Sequence, residues 1–427
     1  MNTAKEKSRE EIMVFQDVEL QKLLHYLNNN SPYYKNQFAI NKIAVDKIKT
    51  VADLTLLPVT TKDDLHAHNW DFLCIPKKEI VEFCSTSGTL GNPVTIGLSE
   101  KDLQRLAFNE YNSFVTAGIT SLDTIHLMLS LDRQFMAGIA YFLGARMLGA
   151  GIIRGGPGNF AMQLETISRL QPTVLVAVPS FIMSLVTYAK DKNIDLNSTS
   201  VRKIICIGEN IRDEHLKLNA LGERIANNWN VTLFSTYAST EQQTAFTECQ
   251  CGNGGHHQPE LLILEILDEA NMPLPAGEFG ELTITTLGVE GMPLLRYKTG
   301  DVCAYINEPC KCGRTTMRIT PIIGRKKQLI KFKGTTLYPQ SLFNILNTIE
   351  SIEDYVIEVT QNDLGLDNLT IHIAFKLENE RDFSQIGQLL QSALRVLPAI
   401  KILSLADIHK MQLGDGKRKV NRFIDFR

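Results

Sequence analysis

The sequence predicts an α/β protein: a large N-terminal domain of mixed and parallel sheets with an antiparallel β region, then a small α+β C-terminal domain. Three observations carry this. From about residue 80, short β-branched runs ending in Ser, Thr or Gly alternate with amphipathic stretches, the pattern of a parallel sheet. Residues 261–306 then give strand after strand separated by turns, and after Gly324-Arg325 the pattern starts afresh. At 427 residues the chain is too long for one ordinary core, so we divide it into 1–324 and 325–427.

The elements follow in order. Ile12, Phe15, Val18, Leu20, Leu23 and Leu24 recur near a 3.6 period and predict a helix over 11–38. TTKDDL, after Pro58, is a Thr cap with an acidic first turn. IVEFCST, TIHLMLS, TVLVAVPS, KIICIGE and VTLFSTYA predict the parallel strands, with helices over 134–149, 160–171 and 180–190. LLILEILD, GELTITTL and DVCAYI predict the antiparallel region. Beyond the basic run RKKQLIKFKG, a helix over 339–349 precedes strands in DYVIEVTQ and LTIHIAFKLE, a helix over 382–396 and a last strand in KILSLADI.

Composition excludes several classes. With 44% apolar and 21% charged residues and a net charge of −3, nothing favours nucleic acid or an anionic membrane as partner. No run approaches the roughly 20 apolar residues of a membrane span. The opening MNTAKEKSREEIMVFQ has no apolar h-region, which predicts a cytoplasmic protein.

Five constellations carry chemistry. Ser85 to Pro93 (STSGTLGNP) packs hydroxyls and glycines after a strand, as a phosphate cradle needs, but no G-K-[ST] makes it a Walker loop. Its bland counterpart is a Ser/Thr-rich turn. Tyr237 to Glu241 (YASTE) sets a hydroxyl and a hard carboxylate oxygen at a strand end, where a capped helix start is the simpler explanation. Tyr297 to Asp301 (YKTGD) offers a carboxylate able to chelate two ribose hydroxyls, or ordinary turn chemistry. Gly324 to Gly334 and Gly416 to Asp425 are basic runs that, taken singly, read as solvated faces.

In order and spacing these segments resemble the adenylate-forming superfamily, and within it the phenylacetate–coenzyme A ligase family. STSGTLGNP matches the phosphate loop, YASTE the Y-G-x-[ST]-E motif, YKTGD the Y-[RK]-T-G-D motif, GRKKQLIKFKG the hinge and KVNRFID the C-terminal lysine motif. LLHYLNNNSPYYK, LLPVTTKDDL and PCKCGRT resemble further family signatures, so the likeness spans nearly the whole chain.

The resemblance implies an AMP-forming acyl-CoA ligase that makes an acyl-adenylate from ATP and then a thioester with coenzyme A, with an aryl or arylacetic acid as substrate. It assigns Lys419 and Glu241 to catalysis, Glu241 through Mg²⁺. It assigns Thr86, Ser87, Gly88 and Thr89 to the phosphates, and Gly208, Glu209, Asn210, Ser235, Thr236, Tyr237 and Thr240 to the nucleotide. Asp301 and Arg325 take the ribose, and Phe135, Gly138 and Ala238 border the acyl pocket. The small domain is expected to be mobile about a hinge at Lys327, with Lys333 and Gly334 at the thiol tunnel. A homodimer would be in keeping with the family.

Several positions depart from the pattern. Asn92 stands where many members have Lys, which removes a positive charge from the triphosphate unless another basic residue substitutes. Leu90 replaces a common Thr, Ala238 a Gly, and Ser235 a frequent Asp. Lys417 also follows a Gly, but only Lys419 gives K-x-x-R-x-x-D with Arg422 and Asp425. Transfer to a carrier protein or an amine, and nucleotide binding without turnover, are the competing functions; Asn92 and Leu90 are what favour the second.

Cysteine usage adds a metal. Cys74, Cys84, Cys206 and Cys303 sit in apolar runs and read as buried hydrophobes. Cys249, Cys251, Cys310 and Cys312 form two C-x-C pairs near His256 and His257, which predicts a closed structural zinc site. Cys249, Cys310, Cys312 and His257 are one possible set, in which Cys251 could displace Cys249 or His257; four free thiols are the alternative. A closed set leaves no open position for a zinc hydrolase. His126 and His372, in strand-like apolar runs, read as satisfied fold residues, and GGPGNF at 155–160 as a loop.

Overall fold

A computed structural model describes residues 8–86, 94–333, 335–349, 351–362, 367–376, 383–394, 396–413 and 421–427. Two units emerge: Met1–Leu218 with Gly222–Pro321, and Ile322–Arg427 with the short piece Asn219–Leu221.

The chain opens with helices α1 (Arg9–Asn30) and α2 (Pro32–Ile40), not the single helix expected over 11–38. Ser31 caps the second helix by accepting from the Tyr34 N–H, and Pro32 takes its first position, where a missing N–H costs nothing. Helix α3 (Lys62–Ala67) starts at Thr61, whose side chain and Asp64 form a reciprocal capping box, as TTKDDL predicts.

Strands β1 (Glu82–Ser85) and β2 (Thr95–Leu98) pair antiparallel with each other instead of joining the parallel sheet. The nine residues between them are too few for the crossover that parallel pairing requires. The alternation then appears as expected: α4 (Glu100–Thr116), β3 (Thr124–Leu127), α5 (Met136–Leu148), β4 (Gly151–Arg154), α6 (Phe160–Leu170), β5 (Val174–Ala177), α7 (Pro179–Asp191), β6 (Lys203–Cys206), α8 (Ala220–Asn228) and β7 (Thr232–Ser239). Next come β8 (Thr244–Glu248), β9 (Gly255–His256), β10 (Leu262–Leu267), β11 (Gly280–Thr286), β12 (Tyr297–Cys303), β13 (Tyr305–Ile306) and β14 (Arg318–Ile319).

The main sheet runs in the order β13-β14-β9-β8-β7-β6-β5-β3-β4. It is parallel from β4 to β7 and antiparallel beyond. Val174, Val176, Ile205 and Phe234 of its parallel part pack with Phe114 and Tyr141 in one core. Antiparallel strands β10, β11 and β12 form the expected second β region. The α/β class, mixed sheet and antiparallel region are as predicted.

The smaller unit holds β15 (Gly324–Arg325), the hairpin β16 (Ile330–Phe332) and β17 (Thr335–Leu337), α9 (Pro339–Leu346), β18 (Ile352–Gln361), β19 (Asp367–Phe375), α10 (Phe383–Leu394), β20 (Ala399–Ile402), α11 (Leu405–Leu413) and β21 (Phe423–Asp425). Its sheet order is β20-β19-β18-β21, over a core that includes Ile357, Ile371, Leu390 and Phe423. KILSLADI is thus not one strand. Ser404 accepts from the Asp407 N–H and starts α11 inside the apolar run, and the last strand lies in FID. No described helix is long and apolar enough to cross a membrane.

Candidate functional site

The YASTE motif lies on β7 and in the turn after it. Ser235, Thr236, Tyr237 and Ala238 are strand residues, and Thr240 and Glu241 belong to the hairpin turn joining β7 to β8. The turn closes through a left-handed Gln243 (φ 50°) and a Gln242 N–H donated to Ser239 Oγ. A helix cap is therefore excluded. The hairpin holds Glu241 at the C-terminal end of the parallel strands, where open α/β sheets bind ligands.

The two strongest motifs meet. Tyr237 O–H donates to Asp301 Oδ2 at 2.7 Å, joining YASTE to YKTGD across the sheets. Burial, then the neighbouring Asp301 charge, push the Tyr237 phenol well above its ordinary range, so it remains a donor. Asp301 follows Gly300 (φ 80°) and donates its N–H to Thr299 Oγ1. The Glu241 side chain is only 10% exposed, and Lys62 Nζ lies 3.5 Å from its Oε1. Sequence reading gave Lys62 no role beyond a first helical turn; no local pattern announces it, because it arrives through long-range pairing.

The other residues that the resemblance assigns to the nucleotide have defined places in the fold. Gly208 adopts φ 76° just past β6, a conformation an L side chain rarely accepts. The Glu209 carboxylate accepts from Ser180 N–H at 2.9 Å and Ser180 Oγ at 2.8 Å, capping α7. Asn210 follows it, half-buried. Ser235 N–H donates to Glu248, itself paired with Arg212 at 2.7 Å, and the Thr236 hydroxyl bonds that of Thr247. Thr86 closes the neck of the β1–β2 hairpin through Val94, by N–H to carbonyl and by Oγ1 to N–H. Ser87, Gly88, Thr89, Leu90 and Asn92 lie outside the described residues.

Of the residues expected at the acyl pocket, Phe135 is half-buried at the head of α5 and Ala238 is exposed on β7. A Cβ at Gly138 would lie 2.1 Å from the Ser130 carbonyl oxygen, so backbone packing demands the glycine. The loop before α5 carries two consecutive left-handed residues, Arg133 (φ 56°) and Gln134 (φ 59°). The Gln134 carbonyl accepts the Ser85 N–H at 3.0 Å, tying this loop to the hairpin neck.

In the smaller unit, Arg325 is exposed on β15 and Lys327 follows in a short 3₁₀ turn. Gly324 packs so closely on the Tyr338 ring that a Cβ would lie 2.2 Å from it. Lys333 donates to the Leu397 carbonyl at 3.1 Å. Gly334, Lys417 and Lys419 lie outside the described residues. The motif's other members act as anchors: Arg422 bonds Asp354 at 3.1 Å, and Asp425 bonds Arg427.

The cysteine pairs come together with a different histidine. Cys249 Sγ lies 3.6 Å from Cys310 Sγ, and Cys312 Sγ 3.6 Å from His256 Nε2; all four ligand atoms fall within 4.8 Å of one another. His256, not His257, completes the set. Strand alternation explains the correction, since His256 and His257 leave β9 on opposite faces. His257 is turned to the Leu262 carbonyl at 2.7 Å and stacks on Phe246. Cys251 is also outside the cluster and contributes its N–H to Cys249 Sγ. Thr316 Oγ1 sits 3.3 Å from His256 Nδ1, leaving Nε2 toward the thiols. Burial raises the Cys249 thiol; at Cys312 burial is opposed by hydrogen bonds with Arg314, Cys310 and Cys249, which together bring its thiol down to about 7. Three sulfurs and one imidazole fit a tetrahedral zinc ion.

Cys74, Cys84, Cys206 and Cys303 are buried as expected. His126 is fully buried and its pKa depressed to about 4 by burial, but neither ring nitrogen finds a hydrogen-bond partner among the described residues, so it is not the satisfied residue expected. His372 is buried and faces Glu358, whose Oε2 lies 3.4 Å from its Nε2.

The sequence profile of the AMP-binding enzymes matches residues 14–291, a span that includes YASTE and ends just before YKTGD. The chain belongs to the AMP-binding enzyme family. Among curated relatives, a phenylacetate-coenzyme A ligase of Thermus thermophilus is 26% identical over 387 residues, covering 89% of this chain and 84% of the relative. The corresponding ligase of Escherichia coli is 26% identical over 380 residues, covering 86% and 84%. These relatives bear out the kinship with the phenylacetate–coenzyme A ligases read from the motifs. In three dimensions this AMP-binding enzyme superposes on 2-hydroxyisobutyryl-CoA ligase in its postadenylation state with a TM-score of 0.85 at 20% identity, covering 96% of this chain and 89% of that one. That likeness establishes the fold.

Proposed function

We propose that this AMP-binding enzyme is an adenylate-forming acid–coenzyme A ligase for an aryl or arylacetic acid. The observation that carries the proposal is the joining of Tyr237 and Asp301, with Glu241 in the turn of the same hairpin. A carboxylate and a triphosphate repel, so adenylation requires cations at the reacting oxygens and fixed anchors on the nucleoside. Asp301, oriented by Tyr237, holds the ribose hydroxyls. Glu241 is a hard oxygen ligand, and Mg²⁺ bound there would neutralise phosphate charge. Thr86 to Thr89 cradle the phosphates, and Gly208 opens the strand end beside the base. Arg325, Lys327, Lys333 and Gly334 of the smaller unit serve the ribose, the hinge and the thiol. Lys419 stabilises the charge of the attacking carboxylate. The ready supply of ATP and coenzyme A makes the cytoplasm its place of work.

Cys249, His256, Cys310 and Cys312 would hold a zinc ion, which would stiffen the loops after β8 and before β14. It takes no part in the chemistry, because four protein ligands close its shell.

ATP–pyrophosphate exchange against a panel of aryl, short-chain and amino acids tests the proposal. Exchange with aryl acids, reduced at least about a thousandfold by Lys419→Ala, is the expected result. Exchange with none of the acids defeats it.

A further inference from the structure

The phosphate segment STSGTLGNP contains neither Lys nor Arg, so the triphosphate must find its positive charge elsewhere. Lys62, whose Nζ stands 3.5 Å from Glu241 Oε1, is the cation that the described structure brings to the proposed phosphate-side carboxylate. We propose that Lys62 is the missing polyphosphate cation: it pairs with Glu241 before ATP arrives and contacts the β- and γ-phosphate oxygens once ATP is bound. The inference rests on the adenylating reading given above.

The placement is built, not incidental. Thr60 is stitched to the strand that carries YKTGD: its N–H donates to the Arg296 carbonyl at 3.0 Å, and its own carbonyl accepts the Lys298 N–H at 2.8 Å. Its hydroxyl is held by Leu295 and Tyr34. The Thr61–Asp64 capping box fixes the next turn and occupies the Asp64 carboxylate with the Thr61 N–H and hydroxyl. Lys62 therefore leaves a backbone clamped on both sides, two residues after the bridge that pairs Thr60 with Tyr297.

Chemistry favours the assignment. The Lys62 side chain is 46% exposed and that of Glu241 10%, so the ammonium reaches solvent while the carboxylate beneath it does not. A structural ion pair half open to water stabilises little. A lysine in that position is well placed to change partners, because an ammonium is a compact charge on a flexible stem that meets phosphate oxygens without fixed geometry. Pairing with Glu241 also keeps the carboxylate compensated while the site is empty.

Calorimetric titration of the intact protein separates the alternatives, using ATP with Mg²⁺ and, in parallel, AMP. Lys62→Met is expected to weaken ATP by about tenfold or more and AMP by less than about twofold, and Lys62→Arg to keep most of the ATP affinity. Equal loss for ATP and AMP would show that Lys62 merely supports the fold and would overturn the inference. So would unchanged ATP affinity in Lys62→Met. Wild-type protein that binds neither nucleotide would instead bring down the adenylating reading itself.

Discussion

Tyr237 and Asp301 were both legible as candidates in the sequence, but their hydrogen bond was not, since it joins residues 64 apart through two sheets. Lys62 was less legible still, because its importance comes from Thr60 pairing with a strand more than 230 residues away. A side chain that no motif flagged makes the sharpest residue-scale prediction. Glu110 on α4 is buried, with Gly144 of α5 so near that a Cβ there would lie 2.4 Å from its own. Burial raises its pKa to about 8, against donors from Ser113 and Asn109. The folded state thus keeps a proton that the unfolded chain releases near its ordinary 4.5, and stability from this group is full below that value and is lost as pH rises toward 8. Glu110→Gln removes the titration. Unfolding by denaturant should show the variant gaining on the parent by on the order of a few kcal/mol between pH 5 and pH 8. A difference that stays constant with pH would show Glu110 ionised in the fold.

At the scale of elements, periodicity found most helices and strands, because a buried parallel strand and an amphipathic helix each announce themselves locally. What it could not give was pairing direction and face. β1 was expected among the parallel strands and instead forms a hairpin with β2, and KILSLADI hides a capped helix start at Ser404. Which histidine joins the cysteine cluster was not legible for the same reason: one residue along a strand selects the opposite face, and only the sheet says which face meets the cysteines. The correction is testable. Purified protein should carry about one zinc per chain, His256→Ala should lose it, and His257→Ala should keep it. Chelation should lower Tm by about 1–2 °C for each kcal/mol of lost binding energy. Zinc retained in His256→Ala and lost in His257→Ala would reverse the assignment.

The whole chain was divided in sequence at Gly324-Arg325, where basic residues cluster; contacts part it at Pro321 and Ile322. The smaller unit has a core of its own, in which Ile330, Leu342, Tyr355, Ile371, Leu390 and Phe423 pack together. Residues 322–427, expressed alone, should therefore melt cooperatively with an enthalpy near 60–80 kcal/mol, the value for about 100 residues. A broad, non-cooperative transition by calorimetry would show that this core needs the rest of the chain.

Strand β8 has a consequence for how this protein tolerates change. Glu241 lies in the turn three residues before its first residue and Cys249 just after its last, so the strand Thr244–Glu248, about 17 Å of extended chain, runs between the two ends. Its length is a ruler. Adding or deleting one residue within it would reverse the direction of every side chain beyond that point, so the nucleotide end and the cysteine end could not both stay in place. Length variation should be accepted instead in the turn between β10 and β11, where Glu269, Ala270 and Pro275 lie at the surface, and a library of random insertions would sort these two segments at a glance.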